Sequence, residues 1–72
     1  MISEVIKFET GMVLVFDEKG EQMPRFQGRY ETVRVKILAR APSEAKFFHG
    51  LWNPLGGQHV HFVKGEVLRK EW

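Results

Sequence analysis

The stretch that decides the fold is residues 25–46, RFQGRYETVRVKILARAPSEAK, because its apolar spacing suits a strand and a helix almost equally well. Read as a strand, Val33, Val35 and Ile37 alternate with bases, and β-branched residues favour extended structure. Read as a helix, five apolar residues recur at steps of three and four and form one stripe. These residues are Phe26, Tyr30, Val33, Ile37 and Ala41.

The ends of this stretch favour the helix. Pro24 suits a first helical turn, Arg40 lies where the helix dipole attracts a cation, and Pro42 prevents continuation. Gly28 would cost about 1 kcal/mol inside a helix, so the helix should begin after it. We therefore predict a helix over about residues 29–40 and keep a strand as the alternative.

Four other segments are predicted to be strands. They alternate apolar with polar residues or carry short apolar runs, and turn residues separate them. The segments are residues 2–8, 12–16, 45–52 and 58–64. A tight turn at Thr10 and Gly11 joins the first two, and the turn-rich residues 53–57 join the last two, so two hairpins are predicted. After Gly65, the spacing of Val67, Leu68 and Trp72 is near helical, which predicts a short helical turn that docks Trp72 on the core.

These elements predict an α+β fold for a single domain spanning residues 1–72. The predicted architecture is a small antiparallel sheet of about four strands with one helix, at about residues 29–40, on one face. If the middle segment is extended instead, five strands in this length predict an all-β fold, a small barrel of the SH3 or OB kind.

The composition indicates the cellular compartment of the protein. The chain of 72 residues has no cysteine, which removes disulfides and thiolate metal sites and fits a reducing compartment. Its longest apolar run, residues 12–16, is far shorter than the roughly 20 residues of a spanning helix, and its N-terminus lacks the pattern of an export signal. We expect a cytoplasmic protein with no membrane partner.

Positive charge is concentrated in the middle of the chain. Residues 25–46 carry six of the 11 bases and two of the nine acids, so the remainder is net negative although the whole chain is +2. Such polarity points to a charged partner.

Catalytic signatures are missing. The only serines are Ser3 and Ser43, and the glycines follow neither a dinucleotide-binding nor a Walker pattern. We therefore expect no enzymatic activity and no cofactor. We also assign no metal site, because two histidines at strand spacing are common by chance, but His49, His59 and His61 are the residues that would form one.

The sequence thus predicts a small non-enzymatic binding or regulatory module that acts through protein–protein contact, either by self-association or with an acidic protein partner. Apolar residues on both faces of several strands exceed what one helix covers, and a homodimer would cover the second face. Alternatively, the protein is a monomer whose C-terminal segment, with Val67, Leu68 and Trp72, wraps back over that face. The alternative is a nucleic-acid binder using the basic 25–46 segment, and the third hypothesis is a histidine metal-binding protein. The candidate partner-binding residues are Arg29, Arg34, Lys36, Arg40, Phe47, Phe48 and Trp52.

Overall fold

A computed structural model describes the backbone of residues 1–55 and 59–72 and the side chains of residues 1–51 and 64–72. The middle stretch is a helix. The elements of the chain, in order, are β1 (Ile2–Phe8), β2 (Met12–Asp17), a 3₁₀ turn (Pro24–Phe26), β3 (Gly28–Arg29), α1 (Tyr30–Arg40), β4 (Lys46–Leu55), β5 (His59–Val67) and a second 3₁₀ turn (Arg69–Glu71).

Burial of one helical stripe explains why α1 forms despite its β-branched residues. Val33 and Ile37, one turn apart, are buried, whereas Val35 on the outer side is 72% exposed. The strand alternative would have put Val33, Val35 and Ile37 on one face together. The helix ends at Ala41, whose amide donates to the carbonyl of Ile37, and Pro42 follows.

The sheet is mixed and open, with the strand order β3-β2-β1-β4-β5. β1 pairs antiparallel with β2 and parallel with β4, and β4 pairs antiparallel with β5. The α+β class, with one helix on one face of a small sheet, is therefore confirmed, and the barrel alternative is wrong. The sheet differs from the expected antiparallel one of about four strands in its parallel pair, β1 and β4, and in a fifth strand, the two-residue β3.

The parallel pair follows from the direction of α1. β3 runs antiparallel to β2, and the helix then returns the chain, so that β4 enters beside β1 in the same direction. Parallel neighbours need such a crossover, which is usually a helix. The predicted hairpin of β4 and β5 is present, and both strands are longer than expected: β4 continues to Leu55, into the predicted turn, and β5 continues to Val67. Residues 56–58 lie outside the described residues.

The core lies between α1 and the sheet. Trp72 is 4% exposed and completes it, which confirms the predicted docking of the C-terminal turn. The buried residues of this cluster are Ile2, Val5, Val13, Val15, Val33, Ile37, Phe47 and Trp72.

The outer edge of β2 is closed by the chain that follows it. The amide of Met23 donates to the carbonyl of Val15, and the amide of Val15 donates to Oε1 of Gln27, so a side chain replaces a strand there. An edge closed in this way does not template pairing with another chain.

A carboxylate holds the turn after β2. The backbone amides of Glu21 and Lys19 both donate to Oδ1 of Asp17 at 2.9 Å, and these bonds lower the pKa of the Asp17 carboxyl, that of Glu21 most strongly. The pKa of Asp17 is lower in the folded protein than in the unfolded chain, so the ionised carboxylate stabilises the turn at pH values above the ordinary aspartate pKa. This contribution is lost as the pH falls through the folded pKa.

Among the residues that the structure describes, no helix combines the length and apolarity needed to span a bilayer.

Gly50 provides a test of the packing between β1 and β4. A Cβ atom there would lie 2.8 Å from Cγ2 of Ile6 and 3.1 Å from Cε1 of Phe8, closer than atoms in a packed interior approach. We expect Gly50→Ala to destabilise the protein by about 1–3 kcal/mol through overpacking, measured by urea unfolding. Gly65→Ala is the control, because no heavy atom lies within 4 Å of its Cβ position. Equal stabilities of the two variants would contradict this packing.

Candidate functional site

The four predicted cations occupy two sides of the helix region. Arg34, Lys36 and Arg40 are exposed on α1, and Arg29 immediately precedes it. At about 100° per residue, Arg29, Lys36 and Arg40 share one side of the helix, and Arg34 lies on the other. The structure therefore does not bring the four together into one patch.

Arg34 is held in position by a hydrogen-bonded chain. Its Nε donates to the hydroxyl of Tyr30 at 3.0 Å, and that hydroxyl donates to the backbone oxygen of Trp72 at 2.9 Å. The Tyr30 ring also meets the Trp72 ring edge-on, with centroids 5.0 Å apart, and lies under Nζ of Lys7 at 3.9 Å. This chain ties the first turn of α1 to the C-terminal segment.

A second cation, Arg69, is fixed against the end of the helix. Its two terminal nitrogens donate to the carbonyls of Ala41 and Pro42, which follow α1. Its guanidinium also lies over the ring of Phe47, with Cζ 4.9 Å from the centroid. These contacts use the planar fork of arginine, which a lysine would not reproduce.

Between these two cations lies a shallow groove, which we name the C-terminal groove. Its floor is apolar: Leu68 is 60% exposed, and Leu38 is partly buried beside it. Its lining residues are Arg34, Leu38, Leu68, Arg69 and Lys70. Three cations thus surround two leucines.

The predicted aromatic contacts separate across the sheet. Phe47 is 2% exposed within the core beneath α1, and its ring meets that of Trp72 at 5.1 Å. Phe48 packs on the opposite face. The backbone of Trp52 belongs to β4, but its side chain lies outside the described residues.

The sheet face opposite α1 carries its own apolar cluster, which we name the open face. Ile6, Phe8 and Phe48 form its buried centre, and Leu14 and Phe16 pack against them. At its margin, a hollow lined by Phe8, Thr10, Met12 and Leu14 is almost wholly apolar, and Met12 is 45% exposed. No helix among the described elements covers this face.

The predicted histidines are not adjacent in the strand register. His49 is exposed and pairs with Gly65, whereas His61 pairs with Asn53, four residues further along β4 or about 13 Å at the rise of a strand. The side chains of His59 and His61 lie outside the described residues. Within the described part of the chain, no group of three or more potential metal ligands occurs.

The bases of α1 lack anionic partners among the described side chains. Among the described side chains, one ion pair joins Lys64 to Glu4 at 2.9 Å and another joins the amine of Met1 to Glu18 at 3.1 Å, and neither involves the helix. Both pairs are exposed, so each contributes little to stability. The positive charge of α1 therefore faces solvent.

Comparison with known protein families, with curated proteins and with solved structures returned no significant match to this chain.

Sequence reasoning missed Leu38, Leu68, Arg69 and Lys70 as surface candidates. They come from two elements that are 28 or more residues apart, and only the docking of Trp72 brings them together. The available signal was the pair of bases Arg69 and Lys70, three and two residues before Trp72, since a docked tryptophan holds its neighbours against the same element.

Removing one oxygen atom tests the link between α1 and the C-terminus. We expect Tyr30→Phe to lower the free energy of unfolding by about 1–2 kcal/mol, because it leaves the Trp72 oxygen and Arg34 without this partner while keeping the ring contacts. Arg34→Gln removes only the outer bond and should cost less. Urea unfolding followed by circular dichroism measures both, and a Tyr30→Phe protein as stable as the wild type would exclude the link.

Proposed function

We propose that this protein is a small non-enzymatic binding module that acts through protein–protein contact, and that self-association through the open face is its first mode of contact. The observation that carries the proposal is the exposed apolar margin of that face: Met12 is 45% exposed, and the hollow lined by Phe8, Thr10, Met12 and Leu14 is almost wholly apolar. The centre of the face, Ile6, Phe8 and Phe48, is already buried in the monomer. Extended apolar surface of this kind marks interaction sites in monomeric folds.

Size supports the same proposal. A chain of 72 residues has a small core, and net stability from such a core is only about 3–5 kcal/mol. A second copy seated on the open face would bury Met12 and the partly exposed Leu14 and Phe16, adding apolar burial that the monomer does not have. A two-fold interface would use the same patch on both subunits.

We further propose a cytoplasmic location, which the lack of cysteine supports.

The second candidate is a nucleic-acid binder, and the exposed side of α1 that carries Arg29, Lys36 and Arg40 favours it. These bases have no anionic partner among the described side chains, so they are free to contact phosphates.

Self-association is tested by placing a charge at the margin of the open face. We expect the wild-type protein to form a dimer that populates with concentration in sedimentation velocity, and Met12→Lys to weaken it by about tenfold or more, because a buried charge opposes association. Val35→Lys adds the same charge at an exposed apolar position on α1 and should leave the dimer unchanged. A wild-type protein that sediments as a monomer at every concentration would exclude self-association.

Nucleic-acid binding is tested by its salt dependence. If the second candidate is correct, affinity for a duplex or single-stranded oligonucleotide falls steeply with salt, and Lys36→Glu reduces the slope by about one for each phosphate contact that is lost. Lys19→Glu, an equal change of charge in the exposed turn after β2, is the control. Fluorescence anisotropy measures both; affinity that does not change from low to moderate salt rejects this candidate.

A further inference from the structure

The C-terminal groove combines apolar surface with cations that have no ion-pair partner among the described side chains. It is lined by Leu38 and Leu68 together with Arg34, Arg69 and Lys70. On the open face, Nζ of Lys64 also lies 4.6 Å from the ring centroid of Phe48, but Lys64 is paired with Glu4 at 2.9 Å.

Two of the three cations of the groove, Arg34 and Arg69, are also preorganised. Nε of Arg34 is bonded to Tyr30, so its terminal nitrogens remain to meet a ligand. Arg69 is fixed by two carbonyls and an aromatic ring, and none of these partners neutralises its charge. Because both side chains are already ordered, a ligand loses less conformational entropy when it binds them.

The chemistry of the lining selects among anionic partners. Proteins that bind single-stranded nucleic acid stack the bases on aromatic side chains, and no aromatic residue is among the described side chains that line this groove. Aliphatic side chains between arginines instead match an acidic polypeptide that carries a large apolar residue. Such a partner can contact the two leucines and pair with the cations beside them.

We propose that the C-terminal groove binds an acidic segment of a partner protein. One leucine-sized or phenylalanine-sized side chain of that segment rests on Leu38 and Leu68, and flanking aspartate or glutamate carboxylates pair with Arg34 and Lys70. This inference rests on the proposed class, a protein-binding module, but it uses a surface separate from the open face. The proposal for either surface can therefore be wrong while the proposal for the other is correct.

The test uses the full-length protein and labelled synthetic peptides in fluorescence anisotropy. One peptide is rich in glutamate with leucine at its centre, the second has alanine in place of that leucine, and the third has lysine in place of the glutamates. We expect the first to bind, the second to bind about tenfold more weakly because it loses the apolar contact, and the third not to bind.

Two matched pairs of variants assign the binding to the groove. Lys70→Glu should weaken the first peptide by about tenfold, whereas Lys36→Glu, an equal change of charge on the other side of α1, should change it little. Leu68→Ser should weaken it similarly, whereas Val35→Ser, at an exposed apolar residue of α1 outside the groove and the open face, should not. Circular dichroism of each variant checks that the fold is retained.

Three outcomes would overturn the inference. The first is no binding of the acidic leucine peptide; the second is equal binding of the leucine and alanine peptides; the third is equal loss in Lys70→Glu and Lys36→Glu. The last two would show attraction to the basic surface as a whole, and competition by an oligonucleotide as strong as that by the peptide would lead to the same conclusion. Sedimentation of the Met12→Lys protein reports on self-association independently, so failure of either proposal is recognised separately.

Discussion

The packing of Val33 and Ile37 against the sheet is the interaction on which the rest of the structure depends. An isolated helix of 11 residues is marginal in water, and the β-branched residues of this one reduce its propensity further. Burial of one stripe in the core supplies what local preference lacks. The same burial places Arg34 and Leu38 on the side of the helix that faces the C-terminal segment.

The direction of α1 then determines the topology. Since the helix returns the chain across one face, β4 enters parallel to β1 at the centre of the sheet, and none of the described helices covers the opposite face. Ile6, Phe8 and Phe48 nevertheless pack there as a second cluster. The direction of one helix therefore accounts for both the core and the second apolar cluster.

The C-terminal segment converts a basic helix into a structured groove. Trp72 enters the core, its backbone oxygen accepts the hydroxyl of Tyr30, and Arg69 caps the carbonyls that follow α1. The exposed cations of α1 and of the C-terminal segment thus form two sets. One set is a solvated row on α1, and the other is a set of ordered cations beside Leu68. The net charge of the sequence does not distinguish these two sets of cations.

Periodicity and end signals predicted α1, the two hairpins and a C-terminal turn that docks Trp72, because these signals lie in residues close together in the chain. Pro42 and the stripe through Val33 and Ile37 favoured the helix over the strand, and the burial of Val33 and Ile37 against the sheet decided between them. Only the tertiary structure decided that β1 and β4 are parallel, since strand alternation has the same period in either direction. It also decided which bases stand together: Arg34 and Lys70 are far apart in sequence, and they line one groove because a buried tryptophan holds the chain end against the helix.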